Sequence, residues 1–223
     1  MSRPAYNHGA PGAQITKARY NRIAWFYDRV ESLPEIFFSG WRRRLLARAE
    51  GKILEVGVGT GKNFQYYPPG ADVTGIDIAD RMISIAQRNA RERGLPFRIE
   101  EGDAEQLAWP DNSFDTIVAT FVFCSVPDPL KGLRELRRVV KPAGRVLLLE
   151  HVRIDMPVVG RLMDLMNPLV VRMVGANINR RTVENVRVTG FAIEEMEDLG
   201  PMKMVKMMIA YPDKTRIDAG GET

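Results

Sequence analysis

The stretch Lys52–Asp80 (KILEVGVGTGKNFQYYPPGADVTGIDIAD) constrains this chain more than any other part of it. Two short runs of apolar and β-branched residues, ILEV and VTGI, are separated by a glycine-rich turn and a short polar and aromatic segment. Such runs read as strands buried on both faces, the pattern of a parallel sheet. Gly57, Gly59 and Gly61 crowd the turn between them. Glycine there allows positive φ and brings main-chain N–H groups at a helix start close to a ligand. The stretch predicts a strand–turn–helix–strand unit of a doubly wound α/β fold, with Asp77 closing the second strand.

The glycine spacing narrows the ligand. A dinucleotide site wants G-x-G-x-x-G, with the third glycine packing helix on strand beside a pyrophosphate. Here that position is Lys62, and Glu55, two residues before Gly57, is a poor neighbour for a diphosphate. The pattern suits a ligand carrying a cationic or zwitterionic group. Asp77 follows Gly57 by 20 residues, where a doubly wound sheet places a carboxylate on a ribose diol. Ribose beside a positive charge, without pyrophosphate, describes S-adenosylmethionine.

E-x-G-x-G-x-G followed by the acidic end of strand two resembles motif I and its sequel in class I S-adenosylmethionine-dependent methyltransferases. EEGDAEQLAWPDNSFDTIVATF (100–121) and ELRRVVKPAGRVLLLEH (135–151) resemble that family's later motifs, so the likeness runs from about Tyr20 to about His151. It implies a mostly parallel seven-stranded sheet with an antiparallel last strand and an N-terminal helical cap. It implies S-adenosylmethionine as cofactor, held by Tyr20, Glu55, Gly57, Gly59, Gly61, Asp77, Ile78, Met82, Asp103 and Ala104. Within that set Asp103 reads the adenine amino group and Tyr20 covers the cofactor.

A chain of 223 residues accommodates one well-buried α/β domain. Its 45% hydrophobic and 27% charged residues are those of an ordinary globular protein. One cysteine, Cys124, excludes an internal disulfide framework. The N-terminus lacks the apolar core of a secretory signal, and no apolar run is long enough for a membrane span. These features predict a cytoplasmic monomer without a metal site.

Residues 1–14, rich in Gly, Pro and Ala, read as a mobile arm. Residues 15–50 read as two helices capping the domain, and 51–211 as the catalytic domain with a helical insertion at about 155–189. The second cap helix carries Phe37, Phe38 and Trp41 beside Arg42, Arg43 and Arg44. Two readings stand: arginines on a solvated face, or an interfacial helix seated on anionic lipid at the inner face of the cytoplasmic membrane. Asp80 caps the helix ending at Gly94. Strand five is expected at Arg145–His151, with KPAG as a turn before it. The insertion is rich in methionine (Met156, Met163, Met166, Met173), which suits either core packing or an acyl chain. An antiparallel strand pair and a frayed tail from Pro212 finish the chain.

The acceptor is the less determined half. Arginine suits bidentate phosphate contacts, so Asn177, Asn179 and Arg180 in NINRR are candidates for a lipid headgroup; a helix-start surface pair is the alternative for Arg180 and Arg181. The order YNRIAWFYD, glycine motif, FVFCSVPDP, LLLEH, NRR resembles bacterial phosphatidylethanolamine N-methyltransferases. That likeness implies stepwise methylation of phosphatidylethanolamine towards phosphatidylcholine, with a quinone or other apolar small molecule as the alternative acceptor. An amine of pKa about 10 must be neutral to accept a methyl group, and Tyr27 and His151 are the candidates for holding it and relaying its proton; a hydrogen-bonded sheet-end histidine is the alternative for His151. An NAD-binding reductase is disfavoured by Lys62 and Glu55. A nucleic-acid binder, prompted by a pI near 9.3, is disfavoured because no N-P-P-[FYW]-like motif is present. Asp77 and Asp103 argue against a catalytically silent scaffold.

Overall fold

Alternation decides how the strands are covered. The computed structural model describes residues 11–30 and 32–215, and the side chains of these except 23–30, 32–37 and 174. In β1 (Lys52–Val56), Leu54 and Val56 join one apolar layer, while Ile53 joins the layer on the opposite face. The same division splits Ile117 and Ala119 from Val118 in β4 (Phe114–Thr120) and Val146 and Leu148 from Leu147 and Leu149 in β5 (Val140–His151). A sheet apolar on both faces needs helices on both.

The helices divide accordingly. Leu133, Leu136 and Val139 of α4 (Pro129–Val139) and Val186 of α6 (Thr182–Val188) complete the first layer. Leu45 and Leu46 of α2 (Ser32–Leu46), with Ile83, Ala86 and Ala90 of α3 (Asp80–Glu92), complete the second. The remaining elements are α1 (Pro11–Val30), β2 (Asp72–Asp77), β3 (Arg98–Glu101), α5 (Pro157–Val174), β6 (Phe191–Leu199) and β7 (Val205–Pro212). Strand order is β3-β2-β1-β4-β5-β7-β6. β1 to β5 run parallel, and β7 pairs antiparallel with both β5 and β6. The doubly wound, seven-stranded architecture expected from the sequence is the one observed. Chain order reverses between β1 and β4, where such a sheet opens a crevice at its carboxyl edge.

Four boundaries differ from expectation. Residues 11–14 are not an arm but the first turn of α1; residues 1–10 lie outside the described ones. KPAG is not a turn before a strand: β5 begins at Val140, which pairs with Phe114, and the register then jumps to Arg145 opposite Thr116, so the segment is an irregularity inside the strand. The tail is tied as far as Asp213, because the Arg137 guanidinium donates to the Asp213 carbonyl at 2.7 Å and Asp213 N donates to Gly190 O at 2.8 Å. Asp80 does not cap α3; it sits in the first turn, and its carboxylate pairs at 3.0 Å with Lys17 of α1.

Candidate active site

The glycine turn after β1 adopts the backbone its composition demands. Gly57, Gly59 and Gly61 have φ of 67°, 56° and 86°, values that a Cβ disfavours. A Cβ on Gly57 would stand 2.5 Å from a Val122 methyl, and one on Gly61 2.2 Å from the Phe64 ring. On Gly59 it would meet nothing within 4 Å: this residue borders open space. The turn is latched by Asp77, whose carboxylate accepts from Gly59 N and from Ala79 N, each at 2.9 Å. Burial raises the Asp77 pKa, and these N–H groups with that of Ile78 oppose the rise.

The open space is a crevice of about 730 Å³ including its mouth. Gly57, Gly59, Asp77, Ile78, Met82, Asp103 and Ala104 line one side, the end of β4 and its following loop line the other, and Thr16 and Tyr20 of α1 complete it. No lysine, arginine or histidine is among these lining residues. Two carboxylates without a cation suit a ligand bearing positive charge and a sugar diol, and leave a pyrophosphate unmatched. S-adenosylmethionine fits that donor set.

Helix α1 is fastened over the crevice at several points. Lys17 bonds to Glu101 and Asp80; burial lowers its pKa, but these two carboxylates outweigh that and hold it above the ordinary range. The Asn21 side chain accepts from Arg81 N at 3.0 Å, and the Tyr20 and Ser125 hydroxyls lie 2.5 Å apart. Tyr20 also packs with Met82 and Ala79. The expected cover of the crevice is thus an ion-paired helix whose tyrosine reaches the opposite wall.

Glu55 and Gly61 do not line the crevice. Glu55 is 1% exposed and sits behind the turn, accepting from Asn63 Nδ2 at 2.7 Å and Tyr67 Oη at 2.8 Å. Burial pushes its pKa up to about 7, against those two hydrogen bonds and the charge of Arg42. For Arg42 the structure corrects the reading of a solvated or lipid-facing row, while Arg43 and Arg44 are exposed. Arg42 is 5% exposed, donates to Asn63 Oδ1 at 2.7 Å and Thr120 Oγ1 at 2.8 Å, and its Cζ lies 5.3 Å from the Phe121 ring centre. The sequence reading missed this network, and its only hint was an asparagine following a glycine turn.

The opposite wall is formed by Thr120, Phe121, Val122, Ser125, Val126 and Pro127. Phe121 has φ of 59°, a left-handed conformation costly for an aromatic residue. Glu150 holds the segment from behind: its Oε1 accepts from Val122 N at 2.9 Å and Phe123 N at 3.2 Å, while Oε2 is buried without a hydrogen-bond partner among the described residues. Burial pushes Glu150 up to about 8, against the two N–H groups. Neighbouring Cys124 is buried, and desolvation with the Glu150 charge pushes its thiol up to about 12, so it stays protonated at neutral pH.

The expected acceptor residues fall elsewhere. His151 is absent from the crevice lining; its ring packs 4.7 Å from Phe121 and 6.1 Å from Phe38. The Tyr27 side chain lies outside the described residues. Asn177 donates to Cys124 O at 2.9 Å, Asn179 to Asp164 at 3.1 Å, and Arg180 to Val126 O at 2.8 Å. NINRR therefore buttresses the loop of the opposite wall, and burial lowers the Arg180 pKa. No group of His, Cys, Asp and Glu among the described residues is arranged to hold a metal ion.

Residues 54–148 match the methyltransferase domain family. A ubiquinone/menaquinone biosynthesis C-methyltransferase of Bdellovibrio bacteriovorus is 32% identical over 177 residues, 76% of this chain and 75% of that protein. A demethylmenaquinone methyltransferase of Thermus thermophilus is 42% identical over 141 residues, and a phosphatidylethanolamine N-methyltransferase of Cereibacter sphaeroides 39% over 119. The chain spans 63% and 59% of the length of those two. Among solved structures, a possible histamine N-methyltransferase of Thermotoga maritima superposes with a TM-score of 0.65 at 24% identity, over 88% of this chain and 99% of that one. A [4+2]-cyclase gives 0.63 at 23%, over 78% and 80%, so the fold alone leaves the reaction open. Glycine turn, carboxylates and relatives agree on the donor, and the chain belongs to the S-adenosylmethionine-dependent methyltransferases.

Proposed function

We propose that this methyltransferase acts on a carbon of a hydroxylated aromatic ring bearing an apolar tail, a quinol-type acceptor. The carrying observation is the character of the β4 wall. Phe121, Val122, Val126 and Pro127 line it, and Asn177, Asn179 and a terminal nitrogen of Arg180 donate to groups of the protein itself. A planar ring with a hydrocarbon tail finds complementary surface there, whereas a phosphate diester would need cationic groups that the lining residues lack. The Bdellovibrio and Thermus relatives, named for quinone methylation, support this acceptor class.

When bound, the cofactor supplies an electrophilic methyl group on a sulfonium. The chain's own residues orient the acceptor. Carbon methylation needs the acceptor hydroxyl deprotonated so that the ring carbon is nucleophilic; after transfer the proton of that ring carbon is lost as the ring rearomatises and the oxygen is reprotonated, so one net proton passes to water at the crevice mouth. The Tyr20 and Ser125 hydroxyls, paired across the crevice, are neutral groups suited to hydrogen-bond the acceptor oxygen. In-line alignment between the two walls provides the rest, since orientation alone lowers such barriers by roughly 7–11 kcal/mol.

A second reading, phospholipid N-methylation, draws support from the Cereibacter relative. Incubation with labelled cofactor and either a prenylated demethylquinol or phosphatidylethanolamine vesicles, with products resolved, separates them. Label in the quinol fraction alone is expected; label in mono- and dimethylated lipid alone would replace the first reading by the second.

A further inference from the structure

Helix α5 turns an apolar stripe to solvent. Val158, Leu162, Leu165, Met166, Leu169 and Met173 recur at helical spacing, and Val158, Leu165 and Met173 are 80%, 78% and 73% exposed. The helix cannot roll to bury this stripe, because its other side is bonded to the insertion: Asn167 donates to Asn177 Oδ1 at 3.0 Å and accepts from Ile178 N at 2.9 Å. Through Asn177 the same chain of bonds reaches Cys124 O, next to Ser125 of the crevice wall.

Charge selects what covers the stripe. Asp164, the acidic residue of α5, is already taken by Arg153 at 2.8 Å and Asn179 at 3.1 Å. Arg161 and Arg172 are exposed and make no ion pair among the described residues. The face is therefore apolar with a basic margin. A second copy across a twofold axis would set these arginines against the same basic face, while an anionic lipid surface complements both stripe and margin. Two of the three arginines of α2 serve a different purpose: Arg42 is buried, and Arg44 pairs with Glu197 of β6, as Arg48 just beyond the helix pairs with Glu195. No described helix is long and apolar enough to cross a membrane, so the contact is lateral.

We propose that α5 is the membrane-docking element of this protein, lying in the interface of an anionic bilayer with its stripe at the acyl boundary and Arg161 and Arg172 at the phosphates. This holds whichever acceptor is used. The test is flotation of the full chain with phosphatidylcholine vesicles, with and without phosphatidylglycerol. The wild type should float with the anionic vesicles. Leu162→Ser/Leu165→Ser/Leu169→Ser should lower partitioning on the order of tenfold or more, and Arg161→Glu/Arg172→Glu should lower it about tenfold in a salt-sensitive manner. Unchanged affinity for S-adenosylmethionine would show both variants folded. The proposal is overturned if the wild type fails to float, if the triple variant floats undiminished, or if sedimentation velocity shows a dimer that the leucine substitutions dissolve.

Discussion

On the side of β1 and β2, the crevice is walled by backbone: glycines at positive φ, with a carboxylate bonded to two of the wall's own N–H groups. On the side of β4 it is walled by side chains whose placement depends on distant residues, Glu150 behind Val122 and Phe123, Arg42 beside Phe121, and Asn177 and Arg180 bracing the loop. The first construction is local and admits few residue types. The second draws on several separate parts of the chain and admits many. One wall is thus tuned to a constant donor, while the other can be rebuilt for different acceptors.

Arg42 joins the two walls through Asn63 and Thr120, so its removal is the harshest test of whether they are independent. Arg42→Ala should cost about 3 kcal/mol in thermal unfolding, since buried polar partners lose their cation, and should weaken cofactor binding as well. A stability loss with unaltered cofactor affinity would mean that the walls are uncoupled. Asp77→Ala acts on the backbone wall alone. It should lower S-adenosylmethionine affinity about 100-fold in calorimetry, equivalent to about 2.7 kcal/mol, with the fold retained; unaltered affinity would remove the ribose assignment.

Glu150 probes the other wall through pH. Its folded pKa of about 8 lies above the ordinary carboxylate value, so the folded state binds the extra proton. Its contribution to stability is full below about pH 4 and lost as pH rises towards 8. Glu55, raised to about 7, adds to the same slope. Glu150→Gln should flatten this decline by about 2 kcal/mol between pH 5 and 8 in denaturant titrations. A steeper decline in the variant would contradict the buried carboxyl. The mildest change is Gly59→Ala, where space is open and only φ is at odds. About 1–2 kcal/mol of stability should be lost, with a several-fold weaker cofactor complex.

The difference between the walls also explains what could be read from the sequence. The glycine turn, Asp77 and the Asp103–Ala104 pair were legible, because a turn of positive φ and a strand-end carboxylate leave few alternatives, and Gly57, Gly59, Asp77, Asp103 and Ala104 line the crevice. The double winding was legible from buried strand runs alternating with helices. The roles of Glu55, Arg42 and NINRR were not. Motif spacing gives a residue's place along the chain, but not whether its side chain turns towards the crevice or behind it. Glu55 turns behind, Asn177 and Arg180 donate to carbonyls of a loop some 50 positions earlier, and Asn179 donates to the Asp164 carboxylate of α5. KPAG shows a further limit, since turn-like composition here marks an irregularity within β5.

Phe121 combines a place in the crevice lining with a left-handed backbone. Anyone retailoring acceptor preference at this position changes two variables together: a smaller aliphatic enlarges the room but keeps the torsional burden, whereas glycine relieves the burden and surrenders the ring. Asparagine, which tolerates this torsion better than other side chains, is the informative control, because it separates the contribution of aromatic surface from that of chain geometry.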